Sequence, residues 1–370
     1  MSYFSADDHV YMARALQLAR HGLYTTHPNP RVGCVLVRDG QMVGEGWHER
    51  AGQAHAEVCA LRAAQEHAQG ATAYVSLEPC AHYGRTPPCA EALVQAGVAK
   101  VIAAMVDPNP LVAGQGLARL TAAGIETASG LLAVEARALN PGFVSAMERK
   151  RPWVRIKMAM SLDGRTAMAS GESVWITGEA ARRDVQFWRA QASAVLTGID
   201  TVLMDQPHLN VRLTADDLGI AGEVRQPVRV VLDSNLRFPL DASLLKSAGK
   251  VLIYTCSTDT AKITALQDLG VSIRQFSGAR LDLTEVLTAL VLDGINEVHV
   301  EAGATLSGSL IEQGSADELV LYMAAHLMGS SARPLFTLPL AKMAERYPLQ
   351  IRDIRAVGQD WRILADFQKE

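Results

Sequence analysis

The most constraining feature of the sequence is a set of potential metal ligands split between two segments. His55 stands two residues before Glu57, and Cys80 follows Glu78-Pro79 and is separated from Cys89 by eight residues. Zinc readily takes imidazole and thiolate ligands, and a catalytic zinc site uses three protein ligands and leaves its fourth position to water. We therefore predict a fold that brings His55, Cys80 and Cys89 together around Zn²⁺.

Glu57 is the candidate proton-transfer group of this metal site. His55 and Glu57 begin a predicted helix, while Cys80 and Cys89 flank the loop between a predicted strand and the next helix. A bound zinc ion lowers the pKa of water. Glu57, which is not a ligand, would accept the proton and pass it to a leaving amine. The pattern predicts hydrolytic deamination of an aminopyrimidine, with Glu57 as the catalytic residue.

Strands and helices alternate along the N-terminal part of the chain. The turn Asp39-Gly40 between two apolar runs predicts a β-hairpin. A helix, a short strand and another helix are predicted from residue 116 to residue 138, ending at a turn over Asn140-Pro141-Gly142. These elements predict an α/β sandwich over residues 1–147. The other predicted helices are 8–20, 55–68 and 89–95, and the predicted strands are 32–37, 42–46, 73–77 and 100–105.

A second alternating series predicts another α/β domain over residues 148–370. No G-x-G-x-x-G run lies between a strand and a helix there, so a Rossmann site is not indicated. The apolar segment 319–328 either pairs across a dimer or completes the sheet, and we expect a homo-oligomer. The predicted strands are 153–160, 194–197, 228–232, 251–255 and 297–300, and the predicted helices are 179–191, 284–292 and 305–312.

Charge and composition exclude several classes of partner. The net charge of −4 and the lack of a long basic run argue against nucleic acid, and no apolar window is long enough to predict a membrane partner. The acidic start MSYFSADDHV lacks a basic leader pattern, so we expect a cytoplasmic location. Five cysteines are too few and odd in number for a disulfide framework, and Cys34 and Cys59 are expected to be buried thiols.

The segment Pro79-Cys80-Ala81-His82-Tyr83-Gly84-Arg85-Thr86-Pro87-Pro88-Cys89 carries a family resemblance. Nucleobase deaminases typically have P-C-x-x-C, whereas this expanded form closely resembles the deaminases of riboflavin biosynthesis. The upstream run His27-Pro28-Asn29-Pro30-Arg31-Val32-Gly33 resembles the same family. The resemblance implies a cytidine-deaminase-like α/β/α sandwich. It also places Asn29 and His48 at the pyrimidine pocket, with surface loop positions as the alternative. His82 lies in the loop and is a candidate fourth ligand, but a closed site would be structural, so we expect His82 to contact the substrate or to support the ligands.

The second half resembles the reductase part of the same bifunctional family. The segments Ser161-Leu162-Asp163-Gly164, Asp205-Gln206-Pro207-His208-Leu209-Asn210-Val211-Arg212 and Val231-Leu232-Asp233-Ser234 follow the family pattern in order. The resemblance implies a dihydrofolate-reductase-like α/β domain that uses NADPH. The implied NADPH contacts are Ala159, Trp175, Thr201, Asp205, Ser234 and Gly303, and the implied substrate contacts are Ser173, Arg189, Leu209, Arg212 and Glu301.

Further roles follow from these positions. The turn at Gly303 and the helix after it would offer backbone N–H groups to the pyrophosphate. Lys157 and Glu301 are candidates for handling protons or orienting the sugar. Arg182 or Arg183 is a candidate for the 2′-phosphate of NADPH, with capping of a helix face as an equal alternative for both.

The expected function is therefore a pair of consecutive reactions on one phosphorylated pyrimidine. The first part would deaminate 2,5-diamino-6-ribosylamino-4(3H)-pyrimidinone 5′-phosphate, and the second would reduce the resulting 5-amino-6-(5-phosphoribosylamino)uracil with NADPH. One alternative is a cytidine or tRNA-adenosine deaminase with an unrelated appendage. Another is a zinc-stabilised nucleotide-binding module without turnover, which requires a closed site with four ligands.

Overall fold

The computed structural model describes residues 4–81, 88–173 and 175–368. The chain forms two compact units, Met1–Arg151 and Pro152–Glu370. Among the described residues, no helix has both the length and the apolar character needed to cross a membrane.

The first unit has a five-stranded sheet of order β2-β1-β3-β4-β5. Strand β1 runs antiparallel to β2 and β3, and β3, β4 and β5 run parallel. Its strands are β1 (Gly33–Arg38), β2 (Gln41–Trp47), β3 (Thr72–Val75), β4 (Lys100–Ala103) and β5 (Glu126–Ser129), and its helices are α1 (Ala6–Arg20), α2 (Ala56–Ala64), α3 (Cys89–Gln95), α4 (Gln115–Ala122), α5 (Ala133–Leu139) and α6 (Pro141–Arg149).

Helices cover both faces of this sheet. Ala60, Leu93 and Leu120 place α2, α3 and α4 in one buried cluster with the sheet. Met12 and Ala136 place α1 and α5 in the cluster on the opposite face. The α/β/α sandwich predicted for this part of the chain is confirmed.

Short sequence signals explain where helices of the first unit begin and where the chain turns between β1 and β2. Ser5 caps α1. Its side chain accepts a hydrogen bond from the backbone N–H of Asp8, and the Asp8 carboxylate accepts one from the backbone N–H of Ser5. Asp39 and Gly40 have φ of 52° and 75° and form the tight turn between β1 and β2, as predicted. Gly114 adopts a left-handed conformation at the start of α4.

Two sequence predictions for the first unit need correction. The predicted helix over 55–68 is interrupted, because Gln65 has φ of 52° and a short 3₁₀ turn, Gln65–Ala68, follows α2. The predicted turn at Asn140-Pro141-Gly142 is instead the start of α6. Proline is favourable at the first helical position, where its missing N–H has no intrahelical partner to lose.

The second unit contains a nine-stranded sheet of order β11-β10-β9-β8-β12-β6-β13-β16-β15. The first seven strands in this order are parallel, and β16 is antiparallel to both of its neighbours. The strands are β6 (Trp153–Ser161), β7 (Arg165–Ala167), β8 (Ala194–Gly198), β9 (Val228–Leu232), β10 (Val251–Thr255), β11 (Ser272–Gln275), β12 (Glu297–Val300), β13 (Glu318–Ala324), β14 (Arg333–Pro334), β15 (Leu349–Val357) and β16 (Asp360–Phe367).

Helices cover this sheet as well, and a separate pair, β7 and β14, stands beside it. Leu287 and Leu310 place α11 and α12 in the largest buried cluster. Leu266 belongs to α10, and Val202 and Val185 place α8 and α7 in further clusters with the sheet. The helices are α7 (Glu179–Gln191), α8 (Ile199–Asp205), α9 (Ala215–Leu218), α10 (Thr260–Asp268), α11 (Leu283–Leu292) and α12 (Ala304–Glu312).

The apolar segment near 319–328 completes the sheet. Strand β13 pairs with β6 on one side and with β16 on the other, so neither of its edges is open to a second copy. The hairpin of β15 and β16 was not predicted from the sequence. It places β15 at the exposed end of the sheet.

Candidate active sites

The structure brings the three predicted metal ligands together in the first unit. The ligand atoms of His55, Cys80 and Cys89 all lie within 4.8 Å of one another. His55 Nδ1 is 3.3 Å from Cys89 Sγ and 3.7 Å from Cys80 Sγ. Ligands bound to one tetrahedral zinc ion at ~2.0–2.3 Å are separated by about 3.3–3.8 Å, so the donor set fits zinc.

The ends of secondary-structure elements position these ligands. His55 has extended backbone directly before α2, and Cys89 is the first residue of α3. The backbone N–H of Cys89 donates to Cys80 Sγ at 3.3 Å, and Ala90 N donates to the Cys80 carbonyl at 3.2 Å. Hydrogen bonds from Cys89 and His55 lower the pKa of Cys80, whereas Cys80 and burial raise the pKa of Cys89. The pair therefore favours a thiolate at Cys80, one of the two that the metal requires.

Glu57 is buried beside the ligands, with 3% of its surface exposed. Burial raises the pKa of its carboxyl to about 7, and the nearby Cys80 sulfur acts in the same direction. A carboxyl group with a pKa near neutral can both accept and donate a proton.

His48 and Asn29 lie next to the metal ligands. The His48 ring meets the His55 ring edge-on at a centroid distance of 5.3 Å. His48 Nδ1 lies 3.0 Å from the carbonyl of Ala54, an acceptor, so Nδ1 carries the proton. Burial lowers the pKa of His48, and its neutral Nε2 accepts from Asn29 Nδ2 at 3.1 Å. His82, the other residue placed near the substrate, lies outside the described residues.

Glu78 is a structural anchor of the site that sequence reasoning missed. Its buried carboxylate accepts hydrogen bonds from the backbone N–H groups of Asp107, Gly114, Gly116 and Leu117, at 2.8–3.2 Å. The last three belong to the start of α4, where helices leave N–H groups unpaired. Glu78 lies two residues before Cys80, and its hydrogen bonds therefore attach the loop that carries Cys80 to α4. The glycines at 114 and 116 were the available signal.

The backbone of α4 packs directly against the backbone of this loop at Gly116. A Cβ atom at Gly116 would lie 1.9 Å from the carbonyl oxygen of Pro79. Any larger residue at this position would push Pro79, and with it Cys80, away from α4.

In the second unit, parallel strands bring predicted NADPH contacts to one edge of the sheet. Ser234 follows β9, Thr201 is in the first turn of α8 after β8, and Gly303 follows β12. These strands are adjacent in the order β9-β8-β12. Ligands bind at the carboxyl ends of strands in open α/β sheets. A Cβ atom at Gly303 would meet no atom within 4 Å, so the start of α12 has room for a ligand.

The other predicted NADPH contacts lie on neighbouring elements. Asp205 is four residues after Thr201 on α8, so both lie on one face of that helix. Ala159 is in β6, which pairs with β12. Trp175 is 71% exposed, and the guanidinium of Arg182 lies 4.5 Å from its ring centre.

Two predicted substrate contacts bind each other. Arg189 Nε and Nη2 donate to the two carboxylate oxygens of Glu301 at 2.5 and 2.9 Å. Burial alone would raise the pKa of Glu301, but Arg189 lowers it to about 2. Lys157 is near the same carboxylate, and burial lowers its pKa. The pair fixes Glu301 as an anion.

Two hydrogen bonds connect the segment that contains Leu209 and Arg212 to α7. Arg189 donates to the carbonyl of Asn210 at 3.0 Å, and Arg212 N donates to Gln186 Oε1 at 3.0 Å. Leu209 is buried, whereas Arg212 is exposed and its guanidinium forms no hydrogen bond or close ion pair within the described ranges. Ser173 is half-buried beside Val174, which the structure does not describe.

His299 is a further group that sequence reasoning missed. Its ring is fully buried in β12, and Nε2 lies 3.6 Å from Glu301 Oε1. Burial lowers its pKa to about 3, so the ring is neutral. An apolar strand pattern surrounds it in the sequence and gives no signal of this contact.

The arginines suggested for the 2′-phosphate have other contacts. Arg183 donates to Asp217 at 2.6 Å. Arg182 donates to the carbonyl of Thr177 at 2.6 Å while its guanidinium faces Trp175.

Comparison with known families matches both units. Residues 152–363 match the model of the RibD C-terminal domain. Residues 5–105 match the zinc-binding region of cytidine and deoxycytidylate deaminases.

Similar proteins cover almost the whole chain. The chain is 50% identical over 359 residues to riboflavin biosynthesis protein RibD of Escherichia coli, covering 95% of this chain and 97% of that protein. A solved structure of Acinetobacter baumannii RibD has a TM-score of 0.90 at 48% identity, covering 98% and 99% of the two chains. The Thermotoga maritima diaminohydroxyphosphoribosylaminopyrimidine deaminase/5-amino-6-(5-phosphoribosylamino)uracil reductase has a TM-score of 0.85 at 30% identity, with the same two coverages.

Proposed function

The chain belongs to the RibD family of bifunctional deaminase–reductases in riboflavin biosynthesis, and we propose that each of its two units catalyses one of the two reactions. Residues 1–147 carry the zinc-dependent deaminase and residues 148–370 carry the NADPH-dependent reductase, a boundary four residues before the division of the chain at Arg151 and Pro152. The substrate is deaminated first, and its ribosyl group is then reduced to the ribityl group. The observation that carries the proposal is the convergence of His55, Cys80 and Cys89 beside the buried Glu57.

In the deaminase, each described residue has a chemical task. His55, Cys80 and Cys89 would hold zinc, which when bound would supply Lewis-acid activation of the water that replaces the amino group. The Glu57 carboxylate takes up a proton and delivers it to the departing amine, a task suited to its raised pKa. Neutral His48 and the Asn29 amide hold the pyrimidine.

In the reductase, the cofactor supplies the hydride and the protein supplies orientation. Ser234, Thr201 and Gly303 hold NADPH along the carboxyl edge of the sheet, with Ala159, Trp175 and Asp205 as further contacts. Backbone N–H groups at the start of α12 would be available to hold the pyrophosphate.

The substrate contacts divide into binding and orienting groups. Arg212 binds the phosphate, because its exposed guanidinium can make a bidentate contact. Glu301, held by Arg189, accepts hydrogen bonds from the sugar, with Lys157 close by. Leu209 and Ser173 complete this set of contacts.

Two broader properties belong to the same proposal. We propose a cytoplasmic location, because the five cysteines are free and the ligand cysteines need reducing conditions. We propose a homo-oligomer, because the exposed strand β15 presents Ile351 and Ile354 at 57% and 53% exposure on an open sheet edge.

The test is a sequential assay on zinc-loaded protein with the diaminopyrimidine ribosyl phosphate. Ammonia release followed by NADPH oxidation is expected. Ammonia without NADPH oxidation contradicts the reductase assignment. A folded, zinc-loaded protein that gives neither signal contradicts the function as a whole.

A further inference from the structure

The turn between β15 and β16 packs on the first half of α7. Gly358 in this turn has φ of 65°, and a Cβ atom on it would lie 2.7 Å from the Cβ of Ala180. Both the left-handed backbone and the close contact therefore require a residue without a side chain. Val357, just before the glycine, packs against a buried cluster that contains Ala181 and Val185 of α7. The turn and the helix are thus in direct contact.

Asp360, the first residue of β16, caps the start of α7. It is 4% exposed, and its Oδ2 accepts from the backbone N–H of Gly178 at 2.7 Å. Gly178 is the N-cap residue of α7 and has no side chain with which to cap the helix itself. The N-terminus of a helix carries unpaired N–H groups and a partial positive charge, which favour a carboxylate. Asp360 therefore supplies, from 182 residues away, the partner that a local cap residue usually provides.

Both polar atoms of one peptide group at the start of α7 have charged partners. The Thr177 carbonyl accepts from Arg182 Nη1 at 2.6 Å, and the N–H of Gly178 in the same peptide group donates to Asp360. Because a peptide group is planar, these two bonds fix its orientation. The guanidinium of Arg182 also lies 4.5 Å from the ring centre of Trp175, two residues before this group. The position of the Trp175 ring therefore depends on the peptide group that Asp360 holds.

We propose that Asp360 is a positioning residue of the reductase, which holds the start of α7 so that Trp175 and Ser173 stay in place to bind NADPH and the substrate. The inference rests on the roles proposed above for these two residues, which lie three and five residues before Gly178. Asp360 acts on them through the backbone of α7. The C-terminal hairpin is therefore part of the apparatus that shapes the reductase site.

A second set of contacts joins the same hairpin to the middle of α7. Arg362 Nη1 of β16 donates to the two carboxylate oxygens of Asp184 at 3.0 and 2.8 Å. The fully buried Tyr322 hydroxyl donates to Asp184 and accepts from Trp188 Nε1 at 3.1 Å. Trp188 directly precedes Arg189. Because these bonds do not involve Asp360, loss of the Asp360 carboxylate should loosen the start of α7 and leave Arg189 in place.

The test compares Asp360→Ala with the wild type in the full, zinc-loaded chain. The KM of the reductase for NADPH should rise by about tenfold, because a hydrogen bond to a charged group is lost. The kcat of reduction should stay within about twofold, because Arg189 keeps its place. Calorimetry should show the same loss of NADPH affinity, and amide hydrogen exchange at Gly178 should become faster. Ammonia release by the first unit should stay unchanged.

Three further variants complete the test. Asp360→Asn should restore the wild-type KM, because its amide oxygen still accepts from Gly178. Asp259→Ala is the matched control, because Asp259 accepts from Lys262 N at 3.0 Å at the start of α10, a helix that carries none of the proposed contacts. It should lower the unfolding temperature and leave the KM for NADPH unchanged. If Asp360→Ala does not fold, Asp360→Glu, whose longer side chain displaces the acceptor, should raise the KM instead.

Each contrary result has a distinct meaning. A purely structural role of Asp360 would lower the amount of folded protein and leave the affinity of the folded fraction for NADPH unchanged. Wild-type KM and NADPH affinity in Asp360→Ala would therefore overturn the inference, and so would an equal rise of KM in Asp259→Ala. If the wild-type protein neither binds nor oxidises NADPH, the proposed reductase function itself fails.

Discussion

Arg189 on α7 and Glu301 after β12 form a buried, two-bond ion pair across 112 residues of sequence. The sequence predicts both as substrate contacts. Their pairing means that Arg189 is already neutralised, whereas Arg212 is exposed and forms no hydrogen bond or close ion pair with another described residue, although it interacts electrostatically with Glu301. The two arginines therefore have different roles in the second unit.

We predict that Arg212→Gln and Arg189→Gln produce different defects. Arg212→Gln should raise the reductase KM for the phosphorylated substrate by about tenfold or more, because a bidentate phosphate contact is lost, with little change in thermal unfolding. Arg189→Gln should destabilise the second unit by about 3–5 kcal/mol, because it leaves a buried carboxylate unpaired. Steady-state kinetics and calorimetric unfolding separate the two outcomes, and equal destabilisation by both would contradict the assignment.

The Glu301 carboxyl predicts a dependence of stability on pH. Its pKa is about 2 in the folded protein and 4.5 ordinarily, so above pH 4.5 the ionised carboxylate makes the fold more stable than it is at low pH, by about 3 kcal/mol. This contribution is lost as the pH falls from 4.5 towards 2. Urea unfolding of the wild type and Glu301→Gln should show a difference in stability that shrinks over this range. A difference that stays constant would contradict the depressed pKa.

Glu57→Gln should abolish deamination without affecting reduction. The amide cannot accept a proton, so ammonia release should fall by about 10²- to 10⁴-fold. Reduction of the deaminated intermediate by NADPH should continue at the wild-type rate, because the second unit is unchanged. Loss of both activities in a folded, zinc-loaded variant would argue against two independent sites.

Glu78→Gln should weaken zinc binding through the ligand loop. One amide oxygen still accepts hydrogen bonds, but the amide nitrogen then faces two backbone N–H donors, at a cost of about 1–3 kcal/mol. Faster zinc loss to a chelator and lower deaminase activity are expected. Glu126→Gln, at an exposed site paired with Lys100, is the control. Normal zinc retention by the Glu78 variant would show that the anchor does not position Cys80.

The features predicted well were those encoded over short distances. The His55–Glu57 and Cys80–Cys89 spacings indicate a metal site because ligand types and helix starts are both local properties. The Asp39-Gly40 hairpin is local in the same way. Fold class, family and cofactors were also predicted correctly, because motifs from both units occur in the expected order.

The features that the sequence did not predict depend on contacts between residues far apart in the chain or on hydrogen bonds from backbone groups. Nothing near Arg189 in the sequence identifies Glu301 as its partner. Glu78 was not assigned because its partners are backbone N–H groups, which almost every residue has, and only the glycines at 114 and 116 pointed to them. Strand β15 escaped prediction because a bulge between Ile351 and Asp353 breaks its alternating pattern. The residue roles proposed for the two sites stay predictions.

The Glu78 anchor also affects how the enzyme can acquire its metal. Small zinc domains fold only when zinc binds, because the ion itself joins the segments that carry the ligands. Here Glu78 joins the Cys80 loop to α4 through backbone hydrogen bonds that involve no metal ligand. We therefore expect a chain stripped of zinc to keep its fold and to bind zinc again.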